Sequence, residues 1–232
     1  MSPVPLDLGV TDDPWVRQLW ELNALGAKTV RALVEHFPHP EAFFSKPWKR
    51  IARKIHFNTP AALEALRGYR ATPSKVRPPH FPFISFRSPQ FPQGFKELYD
   101  PPCGFYFLGD MACLGQPRPR LAVVGTRYAS RYALEATTQL ISELADFEPM
   151  VVSGMARGID GRAHEAALSE GLQTAAILGT GLDRIYPYEH RRLFARIQAQ
   201  GFVLSELPPN TDRKSTRLNS SHSDRSRMPS SA

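Results

Sequence analysis

The sequence has 232 residues, 42% hydrophobic and 22% charged, with a formal net charge of +7. That is the composition of a soluble globular protein with material for one large domain or two ordinary ones. It excludes a membrane-spanning chain, because no apolar run approaches the length of a span, and the N-terminus lacks the charged and apolar regions of a signal peptide.

Residues 1–70 read as a small helical domain. "DPWVRQLWELNAL" opens with an Asp at the N-cap position and Pro14 just inside the helix. "AKTVRALVEHF" carries Val30, Leu33, Val34 and Phe37 at helical spacing, and Pro38 ends it. "TPAALEALRGY" repeats the pattern, with Thr59 as cap and Pro60 in the first turn. The turn "LNALGAKTV", with Gly26 in it, resembles a helix-hairpin-helix, whose turn amides and nearby lysine can contact a nucleic acid phosphate. The same pattern also suits an ordinary small helical bundle, which is the preferred reading of so short a motif.

Residues 71–103 form a proline-dense connector that favours extended segments and turns over helix. "FPFISF" within it predicts a short strand, and the aromatics there are expected in a core rather than as base-stacking platforms. Cys103 and Cys113 are too few for a disulfide framework and match no metal-ligand spacing, so reduced, packed thiols are expected.

Over residues 104–211 strands and helices alternate. "GFYFLG", "LAVVGT", "MVVSG", "TAAILGTG" and "GFVLSE" are apolar strand candidates. "ALEATTQLISELADF", "DGRAHEAALSEG" and "YEHRRLFARIQAQG" are helix candidates, the last two closed by Gly171 and Gly201. The alternation predicts an α/β fold: a parallel sheet with helices on both faces, and ligands at the carboxyl ends of its strands.

The polar clusters fall at those ends: "VVGTR", "SGMARGID", "GTGLDRIYP" and "SELP". Glycine permits a sharp turn and close approach of a ligand. Successive backbone amides at a turn and helix N-terminus form a concave anion site, and Arg127 and Arg157 add forked donors suited to phosphate oxygens. Loop arginines also commonly pair with carboxylates, so the residues alone leave the ligand of this rim open. Neither the dinucleotide fingerprint nor the P-loop pattern is present. Asp160 is expected to cap the following helix. His164 lacks a second ligand at metal spacing and is expected to be packed.

The final segment, "DRKSTRLNSSHSDRSRMPSSA" at 212–232, has no apolar periodicity. Its two ends resemble, in one frame, the translation of a common short-read sequencing adapter, and it is set aside as a non-native tail. It holds five Lys/Arg and two Asp, which leaves 24 basic against 20 acidic side chains elsewhere, a formal +4. A balance so near neutral says little about a polyanionic partner.

"VVGTRYASRYA", "VVSGMARGIDGRAHEAALSEG", "TAAILGTGLDRIYP" and "GFVLSELP" resemble, in order and spacing over residues 80–210, the DprA (or Smf) family of DNA-processing proteins of natural transformation. The resemblance implies a Rossmann-like core that binds single-stranded DNA, hands it to the RecA recombinase, and carries out no chemistry. It implies a DNA pocket lined by Gly125, Thr126, Arg127, Ser153, Gly154, Arg157 and Gly158, a homodimer in the full-length family form, no cofactor, no metal, no membrane and a cytoplasmic location. Two positions depart from the family: His190 stands where Asn is usual, and Ala133 where Gly is usual. Family members also continue after "SELPP" into a further strand and helix, so the chain is expected to be a truncated member. The alternative is a related enzyme that cleaves nucleoside monophosphates, but its "PGGxGTxxE" glutamate has no counterpart in "SGMARGID".

Overall fold

The computed structural model describes residues 13–55, 59–71 and 81–211; the tail from 212 onward and part of the proline-dense connector lie outside them. Internal contacts divide the chain into two units between Pro117 and Arg118.

The first unit opens with the predicted helix, α1 (Pro14–Glu21), where Asp13 accepts a hydrogen bond from the Val16 amide at 3.2 Å and Pro14 fills the first turn. Helix α2 (Ala27–His36) follows a turn in which Asn23 adopts a φ of 56°. Three more helices complete the bundle: α3 (Pro40–Phe44), α4 (Trp48–Lys54) and α5 (Pro60–Ala71). The Thr59 hydroxyl accepts from the Ala62 amide at 3.2 Å, the predicted cap of α5. Leu19, Val30, Leu33, Phe43, Ile51 and Leu66 form a solvent-free core, and the Trp15 indole donates to the Phe37 carbonyl at 2.7 Å. Lys28, the lysine beside the α1–α2 turn, places its ammonium 5.5 Å from the Tyr99 ring.

Strand β1 (Phe83–Ser85) is the strand read in "FPFISF"; it pairs antiparallel with β2 (Gly104–Gly109), Ile84 opposite Phe105, across a segment containing α6 (Gln93–Lys96). Phe83 and Phe91 of the connector are buried, as the sequence leads one to expect, whereas its Tyr99 is exposed. Cys103 and Cys113 are buried thiols. The sequence reading opened its 104–211 domain at β2; grouped by internal contacts, β2 falls in the first unit.

The second unit is built on parallel strands β3 (Arg120–Ala122), β4 (Met150–Ser153), β5 (Thr174–Leu178) and β6 (Phe202–Ser205), adjacent in chain order. Ala122 lies opposite Val152, Val152 opposite Ala175, and Ala176 opposite Val203. The crossovers are α7 (Arg131–Glu143), α8 (Ile159–Ser169) and α9 (Arg191–Gln200). Helix α8 packs between α7 and α9, so the three share one face. This corrects the expectation of helices on both faces. Strands that enter a sheet in order, each by a right-handed crossover, put every helix on the same side. Ile141, Val151, Ala163, Ala166, Ala167 and Leu172 form the core between that layer and the sheet.

Candidate nucleic-acid interface

Two glycine-bearing loops leave the carboxyl ends of neighbouring strands: residues 123–130 between β3 and α7, and residues 154–158 between β4 and α8. The parallel pairing starts them side by side, and the ladder runs one step further through the Val123 amide and the Val152 carbonyl at 3.0 Å. Ser153 is buried and donates its hydroxyl to the Val123 carbonyl at 2.6 Å, which fastens the two strand ends together. Its hydroxyl proton is therefore committed beneath the rim rather than directed to solvent.

The loops then touch through their backbones. The Ile159 amide donates to the Thr126 carbonyl at 3.2 Å. Gly158 has a φ of +75°, and a β-carbon there would strike the Thr126 carbonyl and stand 2.9 Å from that of Arg127. A β-carbon on Gly125 would lie 2.6 Å from the Ile159 side chain. These glycines let one loop close on the other, a use the sequence pattern did not separate from the approach of a ligand. Gly154 is held as closely, 2.8 Å from the Asp160 carboxylate to a β-carbon at its position.

Asp160 joins the two loops. Its carboxylate accepts the Gly125 amide at 3.3 Å and the Ala156 amide at 3.4 Å, and the residue is 7% exposed. The sequence made Asp160 a cap; the N-cap is Gly158, and Asp160 stands in the first turn of α8, where its negative charge also faces the positive end of the helix. His190 secures the second loop from the other side: its Nδ1 lies 3.0 Å from the Met155 carbonyl, and Met155 is buried with a φ of 59°. The imidazole also occupies the space over Gly161, where a β-carbon would come within 2.6 Å of it. His190, at a position where the resembled family usually has Asn, is thus part of the site's support.

On this frame the predicted rim residues separate. Gly125, Thr126 and Arg127 are exposed, Gly154 and Gly158 half-buried, and Arg157 exposed. The Thr126 hydroxyl accepts the Tyr128 amide at 3.1 Å and fixes the turn that carries Arg127. Among the described residues nothing pairs with the Arg127 guanidinium. Arg157 is paired: its Nε donates to the Glu189 carboxylate at 2.6 Å, both side chains being about half exposed (51% and 52%). That hydrogen bond raises the Arg157 guanidinium above its ordinary value and holds the Glu189 carboxyl below its own.

Glu189 comes from a third strand end, the segment after β5. The fourth strand end serves as a brace: Ser205 donates to the Thr180 carbonyl at 2.7 Å, and the Asp183 carboxylate accepts the Asn210 amide at 2.9 Å. Nothing in the sequence singled out Glu189. The signal available was an acid two residues beyond the "YP" of the third cluster.

His164 is packed, as expected. It is fully buried, with Nδ1 2.7 Å from the Thr174 hydroxyl, which itself donates to the Val151 carbonyl at 2.8 Å. Since that hydroxyl has given its proton away, Nδ1 must be the donor to it, and Nε2 is a bare, unpartnered lone pair. Burial, with the nearby His190, pushes the imidazole down to about 4. Among the described residues no three His, Cys, Asp or Glu side chains gather as a metal-ligand set, and no helix is long and apolar enough to cross a membrane.

The family described as DNA recombination-mediator protein A matches residues 82–221. Protein Smf of Synechocystis sp. is 39% identical over 129 residues, which is 54% of this chain and 32% of that protein. The DNA processing protein DprA of Streptococcus pneumoniae is also 39% identical over 129 residues, 56% of this chain and 45% of its own length. The chain thus spans less than half the length of these relatives. The X-ray structure of the S. pneumoniae protein superimposes with a TM-score of 0.67 at 26% identity, over 88% of this chain and 70% of that one. DNA processing protein A of Helicobacter pylori, whose structure concerns its single-stranded DNA binding mode, superimposes with a TM-score of 0.50 at 32% identity, over 60% and 62% of the two chains.

Proposed function

The chain belongs to the DNA recombination-mediator protein A family, and on that premise we propose that its second unit binds single-stranded DNA at the rim carrying Arg127 and Arg157. The observation that carries the reading is the locking of two arginine-bearing loops into one surface by Asp160 and by backbone contact, with Arg127 left unpaired among the described residues. A guanidinium carried on a braced loop and open to solvent offers a fork of donors that matches phosphate oxygens. The lining residues are Gly125, Thr126, Arg127, Gly154, Arg157 and Gly158, with Ser153 as support from below.

The wider role follows the family. The protein protects incoming single strands in the cytoplasm and delivers them to the RecA recombinase, as a homodimer in the full-length family form. It is a binding protein and no enzyme. The two carboxylates nearest the rim support this: Asp160 is occupied by two backbone amides and Glu189 by Arg157, so neither is placed as a free general acid or base. The nucleoside monophosphate-cleaving alternative draws no support from the family.

Two assays test the proposal. With RecA and a single-stranded circle coated by single-strand-binding protein, added protein is expected to shorten the lag before filament growth; an unchanged lag contradicts the delivery role. Incubation with nucleoside monophosphates is expected to release no base, and steady release would restore the enzyme reading.

A further inference from the structure

The four tyrosines of the second unit, Tyr128, Tyr132, Tyr186 and Tyr188, are all exposed, at 91, 80, 57 and 64%. An aromatic ring left in water forgoes the burial that stabilises most rings of its size. The exposed rings lie along the rim in sequence beside its arginines. Tyr128 follows Arg127 directly, and Tyr186 stands three residues before Glu189, the partner of Arg157.

Two of the four differ from the others in what surrounds them. Tyr188 already carries a cation, the Arg191 guanidinium 3.6 Å from its ring centre. Tyr132 belongs to the first turn of α7. Tyr128 and Tyr186 have no ring or cation against their faces among the described residues. They follow different strands, Tyr128 beside Arg127 and Tyr186 three residues before the partner of Arg157.

Phosphate contacts alone do not distinguish a single strand from a duplex, because both present the same backbone. A single strand also offers the flat faces of unpaired bases, which stack on aromatic side chains with little dependence on sequence. Cationic donors with free aromatic faces around them match that polymer in charge and in shape.

We propose that Tyr128 and Tyr186 are stacking platforms for unpaired nucleobases beside the rim arginines, and that this stacking gives the site its preference for single strands over duplex. The inference rests on the single-stranded-DNA reading above and adds to it the residues that select the strand's form. Tyr128 is held for the task by the turn in which its amide bonds to the Thr126 hydroxyl. Its ring is free of packing, so replacement leaves the fold intact.

The test uses the whole chain and three probes of one length: oligo-dT, the same sugar-phosphate backbone without bases, and a duplex. The parent is expected to bind oligo-dT more tightly than either other probe. Tyr128→Ala should weaken oligo-dT binding about five-fold or more, with Tyr186→Ala acting in the same direction, and both should leave the abasic backbone unchanged. Tyr128→Phe keeps the ring and should bind like the parent. If the parent binds oligo-dT and abasic backbone equally, or if Tyr128→Ala weakens both alike, the stacking role is overturned while DNA binding stands. If the parent binds none of the three, the underlying reading falls and the stacking role with it.

Discussion

Asp160 and Gly125 stand 35 positions apart in the chain, and the carboxylate of one accepts the backbone amide of the other at 3.3 Å. Through this contact and a second with the Ala156 amide, one buried acid holds together the two loops that carry Arg127 and Arg157. Asp160→Asn keeps the shape and loses the charge and one acceptor. It is expected to cost about 1.5–3 kcal/mol of stability, the range for hydrogen bonds to a charged group. DNA affinity should fall as well, although Asp160 faces the loops and not the ligand. Urea unfolding of the two proteins measures the first effect, and an unchanged midpoint would remove Asp160 from the account.

Gly158→Ala tests the closeness of the loops from the opposite side. The position combines a φ of +75° with backbone carbonyls where a β-carbon would stand. Relief requires the two loops to separate, so a loss of about 2 kcal/mol or more is expected, beyond the ordinary effect of replacing a glycine. Circular dichroism melts of parent and variant check it.

How far the sequence reached differs from one element to the next. The caps at Asp13 and Thr59 were legible because capping is local: donor and acceptor lie three positions apart. The strand ends were legible because apolar runs stopping at glycine need no knowledge of partners. The bridge from Asp160 to Gly125, and the pairing of Arg157 with Glu189 across 32 positions, depend on which strands lie side by side. Strand order is not written in local periodicity. For the same reason the three helices were expected on both faces.

The Arg157–Glu189 pair implies competition. A phosphate at Arg157 meets a carboxylate already bonded to its Nε, half exposed and screened by solvent, so any displacement is shallow. Glu189→Gln removes the competing charge and should tighten single-stranded DNA binding about two- to five-fold at low salt, with the gain shrinking as salt rises. Titration at two ionic strengths measures this. Weaker binding by the variant would mean that Glu189 orients Arg157 rather than competing for it.

His164 makes stability depend on pH. Its imidazole titrates at about 4 in the fold, below its ordinary value of 6.5, so the unfolded chain binds the extra proton first as pH falls. Stability from this group is complete above about pH 6.5 and is lost progressively toward 4, roughly 2 kcal/mol of it by pH 5. His164→Gln should flatten the dependence between pH 7.5 and 5. Thermal melts across that window, above the range in which ordinary carboxylates titrate, separate the histidine from the acids. Parallel curves for parent and variant would contradict the assignment.

The central claim is that Arg127, unpaired and exposed on a braced loop, contacts the phosphate backbone of a single strand. The most direct measurement is fluorescence anisotropy of a labelled oligo-dT at several salt concentrations, with the parent and Arg127→Ala side by side. A phosphate contact releases condensed counterions, so parent affinity should fall linearly on a logarithmic plot as salt rises. Arg127→Ala should bind more weakly and with a slope shallower by about 0.7, one phosphate's worth for a single strand. It should weaken oligonucleotides of different sequence alike, because backbone contacts carry no base information. If Arg127→Ala matches the parent in affinity and slope at every salt concentration, the rim is not where the strand binds.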